Sequence, residues 1–440
     1  MKQKETPNEP AAGFTAALAP SRYPEPVLRL GPVAAAPDVI AEPWKPSLIT
    51  LIVVAAAVTG LALGGLVTLL YPGGRFGKDE YHLWRWEANT LLDNAFARLG
   101  IGPDPDDTAG ESAVRSYFKL TTQLVAAQRA DSPDLALVDT LTSERAAYEN
   151  DVERLLERYI DEAVTSAGLQ RSLPLFHGVS ITWPPVDFEL TSPPRLLVRS
   201  PRDHIERKGD TLLKSGLSLR DIESIESETD SATTVSIVVA VGGIAAYPAI
   251  VRDDRSYDSL VDTASHEWVH HYLAFYPLGQ QWGKGGNAEA LNETTANIAG
   301  REIANLIRKR HPLQLPEGED GRVPAGPTPT VDFNNEMRTL REEVDALLAA
   351  GKVAEAERTM EERRQYLEAH GITIRKINQA YFAFYGTYAD SPQSTNPIGP
   401  KIEKVWDSTK DVGLFLAVMR DIKNTNDLDA ALAKLAAAGR

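Results

Sequence analysis

The segment Ser265-His266-Glu267-Trp268-Val269-His270 matches His-Glu-x-x-His, and no other stretch of the 440-residue chain narrows local structure as far. On a helix turning about 100° per residue, His270 stands about 40° around from His266 and one turn along, so both imidazoles reach one ion. Glu267 flanks that face, where it could touch a metal-bound water. Val261, Ala264, Trp268, Tyr272 and Phe275 gather on the opposite side as an apolar stripe. The spacing therefore predicts a helix that buries its back and points two histidines and a glutamate into a common space. His271 lies about 140° from His266 and cannot share the ion from this helix. The chain has no cysteine, which excludes disulfides, thiolate zinc sites, iron–sulfur clusters and cysteine nucleophiles. Any metal must be held by His, Asp and Glu.

A catalytic zinc takes three protein ligands and keeps a position for water. After the glycine-rich loop Gly283, Gly285 and Gly286 comes a second helical stretch, AEALNETTANIAGREIANLI. Glu293, Ala296, Asn297 and Gly300 share one face there, small apart from the carboxylate and the amide. A neighbouring helix can pack closely on it, and Glu293 can reach across. Glu289, one turn earlier, is the competing ligand.

The pair His-Glu-x-x-His and Asn-Glu, carried by His266, Glu267, His270, Asn292 and Glu293, resembles the gluzincin class of zinc metallopeptidases, the thermolysin and aminopeptidase group. From about Leu173 onward, a little over half the chain, the sequence is also similar to a bacterial family of predicted aminopeptidases. The Gly242-Gly243-Ile244…Tyr247-Pro248 run, the two metal helices and Asn378-Gln379-Ala380-Tyr381 carry that similarity. The resemblance implies a zinc ion on His266, His270 and Glu293, with Glu267 as general base in peptide-bond hydrolysis. In the thermolysin-like branch an aspartate four residues after the glutamate ligand orients a ligand histidine. Asn297 holds that place here, so Asn292 and Asn297 are the amides expected to support the ligands. Gluzincins also use a Tyr or His from outside the metal helices as oxyanion donor. Tyr381, Tyr385 and Tyr388 are the candidates, with Tyr385 first and Tyr388 next. A metallopeptidase-like protein without turnover, acting as a membrane-tethered binding or scaffold protein, is the alternative reading.

The remaining organisation follows from composition shifts. Residues 1–46 carry nine prolines and many alanines and read as a disordered tail. Residues 47–71 contain no charge. As a helix they would be about 37 Å long against a hydrocarbon core of about 30 Å, so a single retained transmembrane helix is predicted. Basic residues slightly favour the C-terminal flank, which the positive-inside rule would keep in the cytoplasm. A large acidic domain behind one anchor argues instead for an extracytoplasmic catalytic part on the cell membrane. Ala56, Gly60 and Gly64 form a small-residue stripe that could pair two copies, although small residues are common in membrane helices.

Residues 72–172 read as a helical spacer or an N-terminal helical unit, and 173–311 as the catalytic domain, in which Val235–Val241 is the strongest strand. Gly242-Gly243 marks either a tight hairpin or a strand edge approached by other backbone. Residues 312–335 form a loop, and 336–440 a helical region opening with a hairpin around Gly351. The expected fold is therefore α+β: a membrane helix, a helical spacer, a zincin-like catalytic domain with a small sheet, and a helical C-terminal part. Hydrophobic residues make up 43% of the chain and the net charge is −15. That balance supports a folded core and disfavours nucleic acid as a partner, while a peptide or protein substrate is what the gluzincin resemblance implies.

Overall fold

Two long helices lie between residues 107 and 166. Helix α1 (Asp107–Gln128) buries Val114, Tyr117, Phe118, Thr121, Leu124 and Val125, a stripe at three- and four-residue steps. Helix α2 (Leu135–Ser166) starts at Asp134, whose carboxylate accepts from the amides of Ala136 and Leu137. The computed structural model describes residues 76–87, 90, 107–130, 132–172, 180–284, 287–322 and 330–438.

Three small sheets follow. Strands β1 (Arg171–Ser172) and β2 (Ser180–Ile181) pair antiparallel. In the second sheet β8 (Ala249–Val251) is central, parallel to β3 (Phe188–Leu190) and antiparallel to β7 (Gly243–Ile244). In the third, β4 (Arg195–Pro201) lies between β5 (Asp210–Leu213) and β6 (Thr234–Ala240), antiparallel to both. Strand β6 reads as one apolar run because both its faces are covered. Ile237 and Val239 join Leu196 and Val198 against the helical hairpin α6 (Phe333–Ala349) and α7 (Val353–Ala369). Val238 packs with Leu197 and Leu213 against Ile222 and Ile225 of α3 (Leu219–Thr229).

The helices that carry the two motifs are α4 (Tyr257–Leu273) and α5 (Ala288–Arg310). Their buried faces share one core with α1, α2 and the C-terminal helices α9 (Ile398–Thr409) and α10 (Val412–Met419). Short helix α8 (Gln379–Tyr385) precedes α9, and α11 (Thr425–Ala438) follows α10.

Several expectations are corrected. No helix among the described residues is long and apolar enough to cross a membrane, so the transmembrane helix and the single-pass membrane localisation are withdrawn. Residues 47–71, with the Gly60/Gly64 pairing face, lie outside the described residues, as does the 1–46 tail. The helical region is no spacer: α2 packs into the core of α4 and α5. Its Glu153 and Glu157 also accept from the β3 amides of Leu190, at 2.7 Å, and Phe188, at 3.1 Å. The Gly242-Gly243 pair makes no hairpin, because β6 and β7 belong to different sheets. The sequence predicts a helix over roughly residues 374–385, but α8 begins only at Gln379, since the Asn378 side chain caps it by accepting from the Tyr381 amide at 2.9 Å. Residues 375 and 376 instead reach the buried Glu226.

Gly300 sets the approach of α5 to α4. A Cβ there would lie 2.7 Å from the Cα of His266, inside van der Waals contact. Gly300→Val should therefore destabilise the fold by about 1–3 kcal/mol in denaturant unfolding, as overpacking does. Gly216→Val, where a Cβ meets open space, is the control and should change little. Equal midpoints for the two variants would contradict this packing.

Candidate metal centre

Helix α4 is held by its back. Val261, Ala264, Trp268 and Tyr272 are buried, and the Trp268 indole N–H donates to the Pro184 carbonyl at 3.1 Å. That fixes the rotation of the helix and turns His266 and His270 toward α5. Phe275 falls beyond the helix and stays 48% exposed.

Three ligand atoms converge between the helices. The Nε2 atoms of His266 and His270 are 3.0 Å apart, and Glu293 Oε2 is 3.4 Å from each. Tetrahedral ligands at about 2.0–2.1 Å from an ion stand about 3.3 Å from one another. The His270 Nδ1–H donates to Asn292 Oδ1 at 2.8 Å, which leaves the Nε2 lone pair facing the group. Glu293 Oε2 is buried and has no hydrogen-bond partner among the described residues. A buried carboxylate oxygen without a partner is costly, and a cation at the centre of the three atoms removes the cost. His266, His270 and Glu293 could thus hold a metal ion.

The electrostatics agree. Burial opposes the charged forms of both His270 and Glu293. Glu293 nevertheless carries the imidazole up to about 9. The Glu293 carboxyl, in turn, is held far below the usual range by the two imidazoles. Without an ion the site recruits a proton as its cation, so metal and proton compete there.

Glu267 is buried beside this group but outside it. Burial raises its pKa, with the two imidazoles pulling the other way and Glu293 adding to the rise. Gly243 makes room for it: a Cβ at that position would come within 2.4 Å of Glu267 Oε1. Gly243, not Gly242, is the point of close approach: besides Glu267, the Ile250 carbonyl oxygen would lie 2.8 Å from its Cβ, the strand-edge meaning that the sequence allowed.

The other expected residues sort by geometry. Glu289 is half-buried and stands apart from the group, whose carboxylate is that of Glu293. His271 turns to the strand side, where its Nε2 meets the Ala246 carbonyl, and burial pushes its pKa down to about 4. Asn292 supports His270, but Asn297 donates to Asp390 Oδ1 at 3.3 Å instead of touching a ligand imidazole. Among the tyrosines, Tyr388 is the one at the ligands, its ring 6.4 Å from that of His266. Burial and the Glu293 and Glu267 carboxylates push its hydroxyl well up. Tyr388 sits on the loop after α8, tied to α5 by the Ala389 amide donating to Thr294 Oγ1 at 2.9 Å. Tyr385 also borders the cavity, yet its ring packs on Tyr381 at 4.5 Å, and Tyr381 belongs to the core.

His266, His270 and Glu293 face a cavity of about 840 Å³, together with Glu267 and Tyr388. Two further residues reach it that sequence reasoning passes over. Trp282 stands 5.8 Å from the His270 ring at the cavity edge. Arg207 enters from the β4–β5 connection. Neither has a local signature; each is brought in by tertiary structure alone. No family model matches the chain, and no curated protein or solved structure matches it significantly.

Metal content after purification distinguishes the ligands. Glu293→Ala should lose most of the bound metal, while Glu289→Ala and His271→Ala should retain it. Retention in Glu293→Ala, or loss in Glu289→Ala, would move the third ligand to the earlier turn.

Proposed function

We propose that the protein is a zinc-dependent peptidase. The observation that carries this reading is Glu267, a buried carboxylate next to the His266, His270 and Glu293 group yet not part of it, open to the cavity. Two imidazoles and one carboxylate with room for water are a donor set typical of catalytic zinc. When bound, zinc supplies a Lewis acid that polarises a carbonyl and lowers the pKa of water toward about 7.

The residues of the chain do the rest. Glu267 takes the proton of the attacking water and passes it to the leaving amine nitrogen, as a general base and then a general acid. Its raised pKa suits that exchange. Tyr388 donates its hydroxyl hydrogen to the oxyanion that develops on the scissile carbonyl. Asn292 keeps His270 in one tautomer and one orientation. Strand β7 is the outer strand of its sheet and borders the cavity with Gly242 and Val241. An extended peptide laid along it would lie in the cavity that Glu267 and Tyr388 also line. That geometry, with the resemblance of the two motifs to gluzincins, favours an amide substrate.

The test is turnover of a peptide library by the purified protein, suppressed by a chelator and restored by zinc. No turnover in the zinc-loaded protein would refute the reading. Glu267→Gln should keep its zinc and lose at least about 100-fold in activity, the scale of positioned acid–base catalysis. Normal turnover in that variant would remove Glu267 from the mechanism.

Tyr388→Phe removes only a hydroxyl. It should cost about 2.7–4 kcal/mol of transition-state stabilisation, mostly in kcat. Tyr385→Phe should cost far less. The opposite ranking would return the donor role to Tyr385.

A further inference from the structure

Arg207 has no part in the chemistry above, and its surroundings are unusual for a surface arginine. Its side chain is only 20% exposed. Nε and Nη2 both donate to Asp210 Oδ2, the first at 2.8 Å. Nη1 has no hydrogen-bond partner among the described residues. The guanidinium carbon lies 5.4 Å from the Phe384 ring centre, and both residues line the cavity. Next to them the wall is apolar. Leu196 and Leu212 are cross-strand partners, and both border the cavity. Asp210 and Leu212 are two residues apart on β5, so they share a face. The Arg207–Asp210 pair thus ends an aliphatic wall, with one edge of the fork unused.

Other charged groups at the cavity are spent elsewhere. Asp262 accepts from Arg308 at 2.7 Å and Asp390 from Asn297 at 3.3 Å. Arg301 is 54% exposed and lies 3.7 Å from Glu302. Arg207 alone combines burial, an apolar neighbour and free donors. A buried planar fork with unused N–H groups fits a carboxylate, to which it can donate two parallel bonds. We infer that Arg207, at the end of the Leu196–Leu212–Phe384 wall, binds a carboxylate of the ligand and so selects substrates bearing one near the scissile bond. The carboxylate has two sources: a peptide C-terminus or an Asp or Glu side chain. Identifying the ligand as a peptide rests on the peptidase reading.

The experiment has two arms on the zinc-loaded full chain. In the first, matched peptides compare a C-terminal acid with its amide, and Glu with Gln at positions flanking the cleaved bond. One pair should differ by at least about tenfold in kcat/KM, the scale of a hydrogen bond to a charged group, and that pair identifies the source. Arg207→Met should bring the ratio close to one with zinc retained, and Arg207→Lys should restore only part of it. In the second arm, calorimetry compares binding of 3-phenylpropanoate with that of 3-phenylpropanamide. The acid should bind at least about tenfold tighter. Arg207→Met should abolish the difference, which separates the guanidinium from the metal as anion partner. If no peptide is cleaved but the acid still binds through Arg207, the peptidase reading fails and the carboxylate site stands. If cleavage proceeds with both pairs handled equally, or the acid's advantage survives in Arg207→Met, the inference is overturned.

Discussion

The distance between helices Tyr257–Leu273 and Ala288–Arg310 governs everything at the site. A glutamate side chain reaches across an interhelical gap only if the backbones nearly touch. Gly300 against the backbone of His266 provides that contact, one side-chain layer closer than ordinary packing allows. Two helical turns before Gly300, Glu293 then meets both imidazoles. The same approach lets Asn292 bond His270 on its far nitrogen. Ligand and support are therefore neighbours in sequence, fixed by one helix in one placement.

The second constraint comes from the strand side. Gly243 admits the Glu267 carboxylate, so the group proposed to handle protons is pressed between a helix and a sheet edge. There it is desolvated, which raises its pKa. The cavity in front has unequal walls: backbone and carboxylates on one side, Leu196, Leu212 and Phe384 with the half-buried Arg207 on another. That asymmetry is what a site built to orient an extended chain requires, and it underlies both the proposed hydrolysis and the proposed carboxylate preference.

The metal group was legible in the sequence because helical phase is local. Spacing alone places His266 and His270 together, excludes His271, and puts Glu293 on a face small enough for close packing. The helical hairpin around Gly351 and the strand at 234–240 were legible for the same reason, since periodicity and apolar runs are local signals. Contacts made at long sequence distance were not legible. Arg207 arrives from a strand connection with nothing nearby to mark it. Tyr388 outranks Tyr385 only because the chain leaves its helix and is tied to Thr294. Asn297 occupies a position that the resemblance marked for ligand support, and Asp390, from that same loop, takes its amide instead. The helices before residue 172 read as a separate spacer because their amphipathic faces do not say which core they join.

The central claim is that three side chains form one metal site. X-ray absorption at the edge of the metal bound to the purified protein tests it most directly. The account predicts one ion per chain, with nitrogen and oxygen ligands at about 2.0–2.2 Å and outer-shell scattering from two imidazoles. A protein that takes up no stoichiometric metal, or whose metal carries fewer than two imidazoles, would contradict it.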